Sequence, residues 1–367
     1  MDDKKRSVRL DTQPRRTAAA NRTDKRCIGL AANDPDGDET RLPLTPEACG
    51  IIGSMGFRIV MEAGAGRPLS FSDDDYASFG VETATRDKVL KCDVVLSFLP
   101  LDEMDICRMN PGATLLCTTD ECLFEREIID TLLRRRISLG CLDNMVSHND
   151  ISVFADILDE LDGRGAILYA QHKLSLAGGG KGVILAGAAG IGPCEVLVIG
   201  DGNLECAAAT AAIDAGADTT LMSNDIPALH NAHQICGREL RTLAIHPQVL
   251  YHRLRSADVV ILGDCARPFT LPEKLYAAMK DTVCLIDLAQ THPSRSVPRS
   301  VAMAMSNALV NFFEDMACKD SFGAMLATTP GVQSGMVSYA GSLVDKVIAS
   351  ELRMPCVDIA MMLAASN

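Results

Sequence analysis

The residues best placed to do chemistry are two glycines, Gly200 and Gly202, in the stretch Glu195-Val-Leu-Val-Ile-Gly200-Asp-Gly202-Asn203-Leu204-Glu205. An apolar run precedes them, and a helix-forming run from Cys206 to Ala215 follows. A strand that feeds G-x-G into a helix N-terminus is how α/β folds hold a diphosphate. The first glycine makes the tight turn, the second lets the backbone approach the phosphates, and the free N–H groups of the helix start face the anion. Gly200, Gly202, Asn203 and Leu204 are therefore candidate cofactor-binding residues. The third small position of such a turn falls on Glu205. The acid that grips the ribose hydroxyls at the end of the next strand falls on Ser223, with Asn224 and Asp225 beside it. No Arg or Lys lies between Ser223 and Cys236 to meet a 2′-phosphate, so the pattern points to NAD rather than NADP. A domain of this shape that has given up its dinucleotide is the alternative.

Such a turn needs a sheet to hold it. Short apolar segments alternate with helical ones from Cys27 onward: Cys27–Leu30, Arg58–Glu62, Val94–Phe98, Thr114–Cys117 and Ile137–Cys141 read as strands. The segments Thr45–Met55 and Cys122–Arg135 read as helices between them. A second series comprises Glu195–Ile199, Thr219–Met222, Thr242–Ile245, Val259–Leu262 and Cys284–Leu288. Strands separated by helices predict parallel sheets covered on both faces, hence an α/β chain with two doubly wound, Rossmann-like domains. A long helical connector from His148 to Leu174 joins the series, and a second helix, Ala308–Cys318, is placed to carry the chain back.

Composition narrows the class. Of 367 residues, 47% are apolar and 23% charged, which suits a large buried core and excludes disorder for the bulk of the chain. The most apolar stretch, Gly182 to Ile191, is too short and glycine-rich for the ~20 residues of a membrane span, so no membrane insertion is expected. The formal charge of −13 lacks a balancing basic stripe and argues against a nucleic-acid partner. Residues 1–26 carry +5, leaving −18 for the rest, and without an apolar stretch they read as a disordered basic extension rather than a secretory signal. Fourteen cysteines include no C-x-x-C pair, and Cys117, Cys206 and Cys284 sit in apolar runs; reduced thiols of a cytoplasmic protein are the simplest reading. His230 and His233 share a helix face, but no metal site is expected there.

Several stretches, in order, resemble the alanine dehydrogenases and the NAD-binding α subunits of proton-translocating transhydrogenases. They are Glu39-Thr-Arg41-Leu-Pro-Leu-Thr45-Pro46, Glu62-Ala-Gly64-Ala-Gly66 with Phe71-Ser-Asp73-Asp-Asp75-Tyr76, and Gly178-Gly-Gly180-Lys181-Gly182-Val-Ile-Leu. Ala257-Asp-Val-Val-Ile, Ile286-Asp287-Leu288-Ala289 and Gly341-Ser-Leu-Val-Asp-Lys-Val-Ile-Ala follow. The resemblance implies a substrate domain of residues 27–150 plus 308–367, a nucleotide-binding domain of residues 151–307, and two helices crossing between them. It implies an NAD(P)-dependent oxidoreductase converting L-alanine, or a related small amino acid, to its 2-oxo acid, and a homo-oligomer. Carried over by position, Arg41 would hold the substrate carboxylate, Leu288 and Asn307 would lie beside the cofactor, and the acid–base histidine falls on Asp120. The family aspartate falls on Thr291, with His292 next to it as a proton carrier. The substrate lysine has no counterpart, since no lysine occurs between Cys92 and Phe124. With several catalytic positions replaced, two further readings stand: a catalytically silent nucleotide-binding homologue, or a soluble transhydrogenase-α-like subunit working with a partner.

Overall fold

A computed structural model describes residues 26–33, 38–119, 125–147, 151–263, 271–319 and 321–365. Six parallel strands open the chain: β1 (Cys27–Leu30), β2 (Arg58–Glu62), β3 (Glu82–Ala84), β4 (Val94–Leu96), β5 (Thr114–Cys117) and β6 (Ser138–Cys141). Every residue of β1, β4, β5 and β6 is buried, as a parallel sheet covered on both faces requires. A second, all-parallel sheet holds β7 (Glu195–Ile199), β8 (Asp218–Ser223), β9 (Arg241–Ala244), β10 (Val259–Leu262) and β11 (Cys284–Asp287), in the order β11-β10-β7-β8-β9. The chain then returns to the first sheet with β12 (Met336–Tyr339) and β13 (Ser342–Leu343), giving the order β13-β12-β6-β5-β4-β1-β2-β3. The fold is thus α/β with two doubly wound sheets.

In each sheet the strand order reverses once, between β1 and β4 in the first and between β7 and β10 in the second. The crevice beyond the carboxyl ends of those strands is where open α/β sheets take ligands. Arg41 and Phe98 follow β1 and β4; Gly200 and Gly263 follow β7 and β10.

Two helices tie the sheets together. The first crossing helix, Val153–Leu174, packs Phe154 with Ile157, Leu158 and Leu161 into the first domain's core. Its second half sends Ala166, Ile167, Ala170 and Leu174 into the core of the second. The second crossing helix, Pro298–Ala317, begins ten residues before the expected Ala308: Pro298 suits a first-turn position, and Val301, Met305, Leu309, Phe312 and Met316 keep one face buried. The sequence reading missed β3 and the antiparallel pair β12–β13, because these strands are two to four residues long and lack a strong apolar run. The strand expected to reach Phe98 stops at Leu96, where the chain turns to the crevice. Among the described residues no helix is long and apolar enough to cross a membrane, and the described cysteines are all free thiols.

The first crossing helix meets the helix Asn203–Asp214 at Gly163, where a Cβ would overlap the carbonyl oxygen of Leu204 and come within 2.7 Å of the Ala208 nitrogen. Gly163→Ala therefore loses roughly 1–2 kcal/mol of stability in urea unfolding, despite a helix-propensity gain of about 1 kcal/mol, because both neighbours are backbone atoms that cannot move aside. Gly53→Ala, with no atom within 4 Å of the added methyl, gains about 0.5 kcal/mol in the same measurement. Equal effects of the two would show that the helix contact yields freely.

Candidate functional site: two anion pockets of the crevices

Arg41 is the centre of the first pocket. Its side chain is 4% exposed, and its charge is met within the chain. Nε and Nη2 donate to Glu39 Oε1 and Oε2 at 2.8 and 2.7 Å, a two-pronged pairing, and the Arg41 backbone N–H donates to Oε1 at 2.8 Å. Nη1 donates to Ser294 Oγ at 3.1 Å and lies 3.9 Å from Asp162 Oδ2. The ring of Phe98, fully buried, covers the guanidinium with 4.2 Å from its centroid to the guanidinium carbon, a cation–π contact.

Four segments distant in sequence build this cluster: the loop after β1, the segment after β4 with Phe98, the middle of the first crossing helix, and the loop after β11. Asp162 accepts the backbone N–H of Ser294 at 2.8 Å, and His292 Nδ1 stands 3.9 Å from its other oxygen. Arg295 Nε donates to Glu39 Oε2 at 3.2 Å, and Thr40 Oγ1 donates to the Arg295 carbonyl at 2.5 Å. Burial alone would raise the pKa of Glu39. The hydrogen bonds and charge of Arg41, helped by Arg295, outweigh it and hold the carboxyl below its ordinary range. Asp162 behaves alike: burial opposes ionisation, and the nearby His292, the hydrogen bond from Ser294 and the charge of Arg41 win, lowering its pKa.

The second pocket is the G-x-G turn. Gly200 sits at φ +144°, which a side chain would strain, and Gly202 is the extended residue before the helix Asn203–Asp214. Glu205, 1% exposed, curls back from the first helical turn, and the Gly202 N–H donates to its Oε2 at 2.7 Å. Its carboxylate lies among three glycines. A Cβ on Gly200 would come within 2.6 Å of Oε1, one on Gly202 within 2.7 Å of Oε2, and one on Gly263 would overlap Oε1 outright. The hollow at the carboxyl ends of β7 and β10 is thus filled by a carboxylate of the chain.

At the end of β8, Ser223 Oγ donates to Asp201 Oδ2 at 2.6 Å and accepts the Asp225 N–H at 2.9 Å. An aspartate therefore does stand at the ribose position, but it comes from the turn rather than from the strand end. Residues 200–204, 223–226 and 288–292 contain no Lys or Arg, and the segment after Gly263 lies outside the described residues. A dinucleotide's diphosphate needs the volume and the helix-start N–H that Glu205 holds. The described residues do not fit the diphosphate of NAD or NADP.

The remaining sequence candidates scatter. Asn203 Nδ2 donates to Asp156 on the first crossing helix at 2.7 Å, Leu204 packs its carbonyl against Gly163, and Leu288 is buried with its N–H on the Leu262 carbonyl. Thr291 Oγ1 donates to the Asp287 carbonyl at 2.6 Å, a turn contact. Asn307 is exposed in the middle of the second crossing helix. Asp120 lies outside the described residues. Of the catalytic candidates, Arg41 and His292 come together, through Asp162. The sequence reading missed Asp162, Ser294 and Phe98 as site residues. Asp162 sits in an acidic stretch of the first crossing helix, with Asp159 and Glu160 before it, and nothing local singles it out. Among the described residues no cluster of His, Cys, Asp and Glu is built to hold a metal ion.

Comparison with known proteins agrees with this architecture. The N-terminal domain of the alanine dehydrogenase/PNT family matches residues 33–156, and its C-terminal domain matches residues 166–292. The chain is 24% identical over 362 residues to the alanine dehydrogenase of Mycolicibacterium smegmatis, spanning 89% of this chain and 97% of that one. It is 24% identical to that of Bacillus subtilis, spanning 86% and 92%. Among solved structures it is similar to an L-alanine dehydrogenase with a TM-score of 0.78 at 19% identity, covering 89% of this chain and 99% of that one. A transhydrogenase from Sinorhizobium meliloti follows with a TM-score of 0.71 at 17% identity, covering 87% and 100%.

The buried cluster sets a pH dependence. Because Glu39 and Asp162 have lowered folded-state pKa values, their stabilisation is complete above the unfolded carboxyl value of about 4 and is lost as pH falls through the lowered values. Glu39→Gln, which leaves the buried Arg41 short of a charge, costs about 3 kcal/mol at pH 7 and flattens the fall of stability below about pH 4. Denaturant unfolding at a series of pH values checks both; parallel wild-type and variant curves would remove the cluster from the stability of the protein.

Proposed function

The chain belongs to the alanine dehydrogenase/PNT family, and on that premise we propose that it is a catalytically silent member, a two-domain scaffold that does not oxidise L-alanine or a similar amino acid. Homologous alanine dehydrogenases depend on pyridine nucleotide. Oxidative deamination asks for a cation to hold the substrate carboxylate, a carrier for the amine's proton, and a hydride acceptor held against the Cα–H bond. The single observation that supports silence is what surrounds Arg41 beyond Glu39, its partner within the family-like Glu39-Thr-Arg41 motif: Ser294 takes a further donor, Asp162 adds a second carboxylate, and Phe98 covers its face. An incoming carboxylate would meet the Asp162 carboxylate 3.9 Å from Arg41 and a guanidinium face covered by Phe98. Groups that act as a unit lose most of their effect once one is disabled, so the missing lysine compounds the loss.

One observation favours a second reading, a surviving NAD-dependent oxidoreductase. His292, 47% exposed and 3.9 Å from Asp162, stands where it could pass a proton between solvent and the Arg41 pocket.

Purified protein assayed with L-alanine and NAD or NADP, and in reverse with pyruvate, ammonium and NADH between pH 6 and 10, separates the two. Turnover stays at background under the first reading. A rate near the ~10 s⁻¹ of ordinary enzymes, abolished by His292→Ala, would overturn it in favour of the second.

A further inference from the structure

We propose that the Glu205 carboxylate is this protein's built-in occupant of the diphosphate position and is what shuts the second domain to pyridine nucleotides. The inference deepens the silent reading at the second pocket, and it rests on different residues from the Arg41 cluster.

The glycines show what the hollow is for. Gly200 needs glycine for its backbone, at φ +144°. Gly202 and Gly263 have no such need, since neither lies at positive φ. What a side chain would meet at both is the Glu205 carboxylate. Three residues without side chains thus ring one carboxylate, in the crevice where the strand order reverses.

The occupant also satisfies the chemistry of the place. A helix N-terminus presents unpaired N–H groups and a partial positive charge, which attract an anion. Glu205 supplies that anion from the helix's own third residue, accepting the Gly202 N–H at 2.7 Å. A tethered group competes at a high effective concentration against a ligand that must arrive from solution. The carboxylate is also buried, so leaving the hollow would expose the site and break a charge-assisted bond. A dinucleotide therefore meets an occupied volume and a helix-start N–H already in use.

Wild-type full-length protein and the variants Glu205→Gln, Glu205→Ala and Glu205→Gly are titrated with NADH by fluorescence and calorimetry, with inorganic pyrophosphate as a second probe. Circular dichroism and a cooperative melt establish that each is folded, and the alanine variant keeps the test in force if glycine unravels the first helical turn. Wild type gives flat titrations at millimolar NADH. The alanine and glycine variants bind at least tenfold more tightly, equivalent to ~1.4 kcal/mol or more. The glutamine variant, which fills the same volume, stays closed. Micromolar binding by wild type overturns the proposal, as do folded alanine and glycine variants that remain flat. Glutamine binding as well as alanine overturns occupancy in favour of charge alone.

The two readings fail separately. NADH binding by wild type without alanine turnover overturns this inference and leaves the Arg41 reading standing. Recovery of both binding and turnover in Glu205→Ala supports this inference and overturns the Arg41 reading.

Discussion

A guanidinium taken out of water has to be met by charge, and Arg41 is met by Glu39 and Asp162 at once. Stripping an ion of its hydration costs several kcal/mol, and a buried pair recovers that only when geometry is good and the remaining donors are satisfied. Here the two-pronged contact with Glu39, the Ser294 hydroxyl and the Phe98 ring meet those conditions. The cluster draws together the loop after β1, the first crossing helix and the loop after β11, so the relation between the two sheets hangs on it. Thr45, whose N–H donates to Ser306 on the second crossing helix at 2.9 Å, fastens the same loop from the other side.

The two pockets are chemically parallel. Each lies where a doubly wound sheet reverses its strand order, and each presents donors suited to an anion: a guanidinium in one, a helix N-terminus in the other. In each a carboxylate from the same chain has taken the donors. Fold and topology do not by themselves fix the chemistry of a site, so the match to alanine dehydrogenases settles the architecture first. With a formal charge of −13 the chain offers anions little long-range attraction to offset that competition.

Much of the fold was legible because buried parallel strands are continuous apolar runs. Seven of the ten strands read from the sequence keep their starting residue, since β1, β2, β4, β5, β7, β10 and β11 open where their runs do. The short edge strands β3, β12 and β13 were not legible, for they owe their existence to neighbouring strands rather than to their own residues. The site was legible by residue and illegible by state. Position could place Arg41 and the G-x-G turn, and could flag Glu205 as too large for its slot. It could not show that Asp162, over a hundred residues along the chain, reaches Arg41, nor that Glu205 turns inward to Gly202 rather than outward to solvent. Both depend on long-range packing.

The crossing helices hold the two sheets together through close backbone contacts. Gly163 lets the first helix touch the backbone of the helix Asn203–Asp214, and Gly165 lets it approach Pro293, where a Cβ would lie 3.0 Å from the carbonyl carbon. Those contacts, and the cores on either side, involve no ligand. A cleft that works by opening and closing needs a hinge whose contacts can be exchanged at small cost. Separating the sheets here would instead pull Arg41, still paired with Glu39, away from Ser294 and Asp162, giving up a hydrogen bond and a close charge contact. The ion cluster therefore also resists separation of the two sheets, and that follows from burying one arginine among the chain's own acids.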